Sequence, residues 1–519
     1  MSPGRESTSR FVLALLLVAL TGYLSLSYEI LWVRLYNFTS GSRAWAFGAL
    51  LGSYLIGLAL GSLWSMRYHG ASQDASSLRA LARFVLFANL LGFLVAPVVS
   101  LLVLRIHFAA TLPLIILAAA FLGAALPLIC HFAIPPDARA GARLSYLYLG
   151  NILGSGAGSL FSGFVLMDHF SFAQISVLLA VLGLLLAAGV AWFAGARGAV
   201  LRRWLAGTAL ASVAALLAGP YLFDGFYERL QFKRDYDGER FKMVVESRFG
   251  VITVDEEDRI YGGGMYDGYL GTELRPGSWM VRPYFLSAVH EDPREVLVIG
   301  LSGGTWTQIL AHHPQIEHIT AVEINAAYSE RVIPHIQTTR GILDNPKVEI
   351  VVDDGRRWLR RNPGRKFDAI IANTTHHWRE HATNLLSQEF MELVKSHLKP
   401  GGIYQFNATG SYRAERTAAT VFPDAVLLLN NIVASTSPIQ FDKERWRRTL
   451  DAYSIEGTPV FEGAGRESRI NEVVSLLDNF EDSEAEKSVS LLSRRQILEN
   501  SEGYRLLTDD NLGHEFWWE

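Results

Sequence analysis

The chain has 519 residues, half of them hydrophobic and 19% charged, with a formal net charge of −4 and one cysteine, Cys130. That length exceeds one ordinary domain, the apolar excess points to a membrane part, and a single thiol excludes an internal disulfide framework or a thiolate metal site. The weak negative charge, with no basic stripe interleaved with aromatics, argues against nucleic acid as a partner.

Apolar runs lie near 11–33, 44–66, 80–104, 107–131, 144–166, 172–195 and 203–222. Each approaches the ~20 residues a helix needs to cross hydrocarbon, so about seven spans are expected, with the lipid bilayer as partner. These form a multi-pass helical domain over 1–225. Arg5 and Arg10 precede the first run as in a signal peptide, but its length and the "YEILWVR" that follows favour a retained helix. Glu29 near its end is either a polar site in the bundle or, the expected reading, the partner of Arg34 near the interface. Small residues at Gly48, Gly52, Gly57 and Gly61, and at Gly150, Gly154 and Gly158, suit close helix packing.

Ten arginines fall on the amino-terminal side of a seven-span layout against six basic residues on the other. The excess places the amino terminus in the cytoplasm, whereas an odd count would export everything after the last span. A nucleoside-like ligand is made in the cytoplasm, so the expectation is an inner-membrane protein with a cytoplasmic soluble half and one run split in error.

A linker and small β-hairpin subdomain are expected over 226–290, where "KMVVESRFGVITVDEEDRIYGGG" alternates apolar and polar residues around Glu256, Glu257 and Asp258. From 291 to 519, "EVLVIG", "HITAVEIN", "VEIVVDD", "FDAIIANTT", "GIYQFNAT" and "AVLLLNNIVAS" read as strands alternating with helical segments. That pattern argues for a parallel sheet with helices on both faces, an α/β Rossmann-like domain. The first strand enters "GLSGGTW", where glycines allow a sharp turn and close approach of a ligand. Glu323 ends the second strand 23 residues past Gly300, near the spacing of an acid that binds a ribose diol. It could equally pair with an arginine. Asp353 and Asp354 end the third strand, where a carboxylate can accept from an adenine amino group, and Asp354 is also placed to cap the next helix.

In their order, "LSYEILWVRLYN", "VLVIGLSGGT", "AVEIN", "VDDGRRWL", "FDAII" and "LLSQEFMELVKSHLKPGGI" resemble the spermidine synthase family of polyamine aminopropyltransferases, in particular its membrane-fused bacterial members. The tail "LLTDDNLGHEF" is similar to theirs as well. The resemblance implies a class I methyltransferase-like sheet after a β-hairpin domain, decarboxylated S-adenosylmethionine as co-substrate, an amine acceptor, no metal, and a homodimer. It assigns the donor to Gly300, Ser302, Gly304, Glu323, Asp353 and Asp354, with Glu323 on the ribose and Asp354 on the adenine.

The departures fall on the chemistry. Gly303, Asn373 and His376 stand where the family has acids, and an amide cannot be the base that accepts the amine proton. His376, His377 or His381 could take that role, each being otherwise an ordinary loop residue. Tyr266 and Asp267 occupy the place of the family's Leu-Asp near the amine pocket, and Trp378 could stack on an amine or pack the rim. The expected catalytic set is therefore Asn373, His376, Asp267 and Tyr266. The three histidines with Glu380 make a poor metal site, since neighbouring side chains diverge. Two other functions fit: a methyltransferase using intact S-adenosylmethionine, and a non-catalytic nucleoside-binding or transport-linked membrane protein.

Overall fold

The computed structural model describes residues 3–68, 75–274, 280–373, 376–480 and 491–511, in two units, Met1–Val251 and Ile252–Glu519. In the first, seven helical stretches among the described residues are long and apolar enough to cross a membrane: Ser9–Ser40, Ala44–Tyr68, Ser76–Leu102, Phe108–Ala133, Ala140–His169, Phe172–Phe193 and Gly198–Leu222. Each corresponds to one run of the sequence. Among the described residues no two runs merge into one helix.

The second glycine stripe packs as its spacing suggests. A side chain at Gly154 or Gly158 would strike the backbone of Ala19 or Tyr23 on the first helix. In the first stripe, Gly57 and Gly61 meet Ile116 and Ala120 in the same way, whereas Gly48 and Gly52 face open space. Glu29 is buried at 8% exposure and makes no hydrogen bond or ion pair among the described residues, so the pairing with Arg34 is not formed. Five residues apart on a helix, the two point about 140° from each other.

Strand β1, Phe241–Ser247, closes the first unit, and β2, Gly250–Asp255, runs into the second. With β3, Arg259–Gly262, and β4, Met265–Tyr269, β2 forms an antiparallel meander. Asp255 organises its first turn by accepting from the N–H groups of Glu257 and Arg259, the Arg259 guanidinium and the Tyr261 hydroxyl.

The main sheet begins with β5, Glu295–Ile299, β6, His318–Glu323, β7, Val348–Val352, β8, Phe367–Ala372, and β9, Leu398–Asn407. It continues with β10, Asp424–Leu428, and β11, Asn431–Ser435. A separate two-residue pair, β12, Ser454–Ile455, and β13, Thr458–Pro459, precedes the edge strand β14, Leu491–Ser493. The eight strands lie in the order β14-β10-β11-β9-β8-β5-β6-β7. Strands β5 to β9 run parallel.

The expectation of a purely parallel sheet is corrected at "AVLLLNNIVAS". That run is a hairpin pairing Leu428 with Asn431, so β10, β11 and β14 are antiparallel and the sheet is mixed. Leu429 makes the reversal with a φ of 59°, in place of the glycine that usually marks such a turn.

Both faces of the parallel strands are covered. Val296 and Val298 of β5 join one core with Ile309, Ile319 and Ile371, while Leu297 and Ile299 join another with Ile370, Phe390 and Phe406. The tail is fastened to the second core: Leu507 is fully buried there, and Asp509 accepts from Arg356 at 2.7 and 2.5 Å and from Ser387 at 2.7 Å. The rest of the tail motif, from 512 onward, lies outside the described residues.

Candidate active site

The chain order reverses between β5 and β8, where open α/β sheets leave a crevice beyond their carboxyl ends. At this point the Gly300 N–H donates to Val322 and the Asn373 N–H to Ile299, both at 2.9 Å, drawing the glycine turn and the end of β8 together. Gly300 has a φ of 87°, and a Cβ there would lie 2.9 Å from the Asn373 carbonyl. Gly304, with a φ of 83°, starts the helix Thr305–Ala311. Both positions need the conformation and the slimness of glycine.

Glu323 binds this turn from below. Its Oε2 accepts from the N–H groups of Leu301 at 2.8 Å and Ser302 at 3.4 Å, and its Oε1 from Asn325 at 2.8 Å. Burial raises the carboxyl above the ordinary glutamate range, against the backbone bonds from Asn325 and Leu301. The alternative reading of Glu323 as an arginine's partner is not what the residue does.

Asp354 caps the helix Gly355–Arg361 through the Arg357 N–H at 2.7 Å, the second of its two expected roles. Asp353 is ion-paired with Arg357 and, at 3.7 Å, with Arg361. Two apolar neighbours were not foreseen: Ile324 after β6 and Val352 at the end of β7 are 52% and 49% exposed, unusually open for aliphatic side chains at a sheet edge.

A cavity of about 580 Å³ opens beside the turn. Tyr266, Asp267, Ser302, Asn373 and His376 all line it, so five predicted residues from three segments, β4, the glycine turn and the stretch after β8, meet. Gly300, Gly304 and Glu323 shape the turn that forms part of its wall, while Asp353 and Asp354 do not line it. Asp267 accepts from the Tyr328 hydroxyl at 2.6 Å and its carbonyl from Ser302 Oγ at 3.3 Å. At Gly303 a Cβ would run into the buried Leu270 side chain, which fills the space that a side chain there would need.

The three histidines part company. His376 faces the cavity, stacked on Trp378 with centroids 4.3 Å apart, and its Nδ1 is buried without a hydrogen-bond partner. Burial, aided by Arg379, lowers it below the ordinary histidine value against the pull of Asp267. His377 is buried against Thr409, its Nδ1 2.9 Å from the hydroxyl. His381 is exposed, 3.5 Å from Glu380. Thr374 and Thr375, between Asn373 and His376, lie outside the described residues.

Sequence reading passed over Arg282, Asn407 and Asn430 in the cavity wall and Tyr328 behind Asp267. Trp306, which also lines the cavity, stood in the quoted turn without being assigned a role. None carries a local pattern, because each comes from a different element: Arg282, Trp306 and Tyr328 from three short helical segments, Asn407 from the end of β9 and Asn430 from the turn after β10.

Residues 285–420 match the spermine/spermidine synthase domain. The chain is 26% identical over 436 residues to polyamine aminopropyltransferase 1 of Ralstonia nicotianae, covering 80% of this chain and 79% of that protein. It is 32% identical over 161 residues to polyamine aminopropyltransferase 2 of Hyperthermus butylicus, covering 30% of this chain and 52%, about half, of that one. With the polyamine aminopropyltransferase of Mycobacterium tuberculosis, identity is 30% over 288 residues, 53% of each chain. Among solved structures, a spermidine synthase in complex with the transition state analogue AdoDATO aligns with 45% of this chain and 85% of its own, at 19% identity and a TM-score of 0.36.

Proposed function

The chain belongs to the spermine/spermidine synthase family, and from that membership we propose that it is a membrane-anchored aminopropyltransferase using decarboxylated S-adenosylmethionine and an amine acceptor. The observation that carries this reading is the meeting of Tyr266, Asp267, Ser302, Asn373 and His376 on one cavity at the switch point of the sheet. The seven apolar helices support the anchor.

In the proposed reaction the acceptor nitrogen attacks the methylene carbon beside the donor's sulfonium. The carbon–sulfur bond breaks, methylthioadenosine leaves with the bonding pair, and the proton shed by the new ammonium passes to a base. We assign that base to His376, whose lowered pKa keeps the imidazole neutral at physiological pH. Asp267 orients the acceptor's ammonium, with Tyr266 on the wall beside it and the Asn373 amide as a further acceptor.

For the donor, the turn at Gly300, Ser302 and Gly304 offers close backbone approach. Glu323 keeps one lone-pair site, on Oε1, beyond its three backbone bonds with which to receive a ribose hydroxyl. Ile324 and Val352 supply apolar surface for a base ring, and Asp354 keeps Oδ2 for the adenine amino group while Oδ1 caps its helix.

Gly303 in the place of an acid favours one other reading, a methyltransferase on intact S-adenosylmethionine. Incubating the purified protein with either donor and a panel of amines separates the two. Methylthioadenosine formed only with an amine supports aminopropyl transfer, whereas S-adenosylhomocysteine supports methyl transfer.

A further inference from the structure

Asp267 reaches the cavity with one of its oxygens already engaged. The Tyr328 hydroxyl donates to Oδ2 at 2.6 Å, a length that suits a bond to an ionised carboxylate. Among the described residues Oδ1 receives no hydrogen bond, so that oxygen is left for a ligand. Tyr328 itself is buried and does not line the cavity. Burial, with Asp267 and Glu323 close by, raises its hydroxyl well above the ordinary tyrosine range and keeps it a donor.

Both partners are set in place by the chain around them. Strand pairing joins Tyr261 to Tyr266 and Ile260 to Gly268, so Asp267 is the extra residue of a bulge. A bulge bends its strand and re-aims the side chain it carries. The Asp267 carbonyl is tied to Ser302 Oγ at 3.3 Å. Tyr328 opens the helical turn Tyr328–Val332, and a chain of turns fixes it relative to Glu323. Glu323 Oε1 accepts from the Asn325 N–H at 2.8 Å, Asn325 Oδ1 from the Ala327 N–H at 3.1 Å, and the Asn325 carbonyl from the Tyr328 N–H at 3.1 Å. From β3, Gly262 leaves room for the pair: a Cβ there would lie 2.6 Å from the Tyr328 hydroxyl oxygen and 3.3 Å from Asp267 Oδ2.

We propose that Tyr328 is the positioning residue of Asp267, its hydroxyl holding Oδ2 so that Oδ1 meets the acceptor's ammonium at one fixed angle. The proposal rests on the aminopropyl-transfer reading for the identity of that ligand. Without the hydroxyl the carboxylate is free to turn about its last side-chain bond, and the attacking nitrogen loses its alignment with the donor carbon.

The test uses full-length protein in detergent, with putrescine as the probe amine. Turnover of decarboxylated S-adenosylmethionine is measured for the wild type, Tyr328→Phe, Asp267→Ala and the double variant, together with calorimetric binding of putrescine. Tyr328→Phe keeps the ring and removes only the donor. We expect kcat/KM for the amine to fall by about 10- to 100-fold while KM for the donor stays within about 2-fold, since a misplacement of about 1 Å has effects of that order. A merely structural tyrosine would disturb both substrates alike. Because Tyr328 acts through Asp267, its removal should change nothing further once Asp267 is alanine. Gly262→Ala, which crowds the hydroxyl away from Oδ2, should reproduce the Tyr328→Phe pattern.

Equal losses for donor and amine, or full additivity with Asp267→Ala, overturns the proposal. Should Tyr328→Phe fail to fold, Gly262→Ala carries the same comparison. Putrescine used with equal efficiency by the wild type and Tyr328→Phe would uphold aminopropyl transfer and sink the positioning role. Putrescine binding that weakens in Tyr328→Phe only while Asp267 is present, with no methylthioadenosine released by the wild type, would do the reverse. Putrescine neither bound nor consumed by the wild type overturns the proposal as well.

Discussion

Changing Glu323 to Gln alters one atom and almost no volume, yet it reaches the centre of the proposed donor site. The native carboxylate takes three backbone N–H groups, from Leu301 and Ser302 on one oxygen and Asn325 on the other. An amide offers one oxygen and one NH₂, so in either orientation a donor faces a donor. Losing one hydrogen bond to a charged acceptor costs about 1.5–3 kcal/mol, and the bonds that remain lose their charge assistance. With the ribose contact weakened as well, we expect methylthioadenosine, as an unreactive probe, to bind about 30- to 500-fold more weakly by calorimetry.

The pH dependence follows from burial, which raises the native carboxyl above its ordinary value. Between the unfolded and native titrations the folded chain keeps a proton that the unfolded chain has lost. The residue's contribution to stability is therefore fullest below the ordinary glutamate range and declines as pH rises through the native titration. Probe binding needs the carboxylate and so strengthens over that same upward range. Wild-type affinity for the variant, or a wild-type affinity flat with pH while Glu323 titrates, would refute the ribose assignment.

Replacing His376 by Asn should lower the turnover rate by about a hundred- to ten-thousand-fold. The acid limb of the wild-type pH–rate profile should lie below the ordinary histidine value, and a limb at or above it would contradict the base assignment. Gly303→Asp should destabilise the fold by about 1–3 kcal/mol because its Cβ meets Leu270. Adding Leu270→Ala should recover part of that loss in denaturant melts, whereas simple additivity would show that the two sites do not touch. Asp509→Asn should cost about 1 kcal/mol, allowing for partial exposure of the carboxylate. The Arg356 hydrogen bond holds Asp509 below the ordinary carboxylate range, so its stabilisation is present above that range and lost on acidification. The melting difference from wild type should shrink at low pH.

What could be read from the sequence was what local spacing encodes. Continuous apolar runs gave the parallel strands and the seven helices, and the glycines of "GLSGG" gave the turn, because only backbone sterics were needed. The "LNN" reversal escaped notice since a leucine occupies its left-handed position. Spacing placed Asp353 and Asp354 at the right sheet edge but could not show that arginines and a helix cap would hold them. The adjacent histidines parted because His377 found Thr409, a residue 32 positions away. Arg282, Trp306 and Asn430 meet only in the folded unit, so this part of the cavity wall left no periodic trace.

Aminopropyl transfer stands or falls on the nucleoside product. Purified full-length protein given decarboxylated S-adenosylmethionine and a set of diamines and amino acids should release methylthioadenosine only when an acceptor is present. Release of S-adenosylhomocysteine from the intact donor, or tight donor binding with no nucleoside product from any combination, would contradict it.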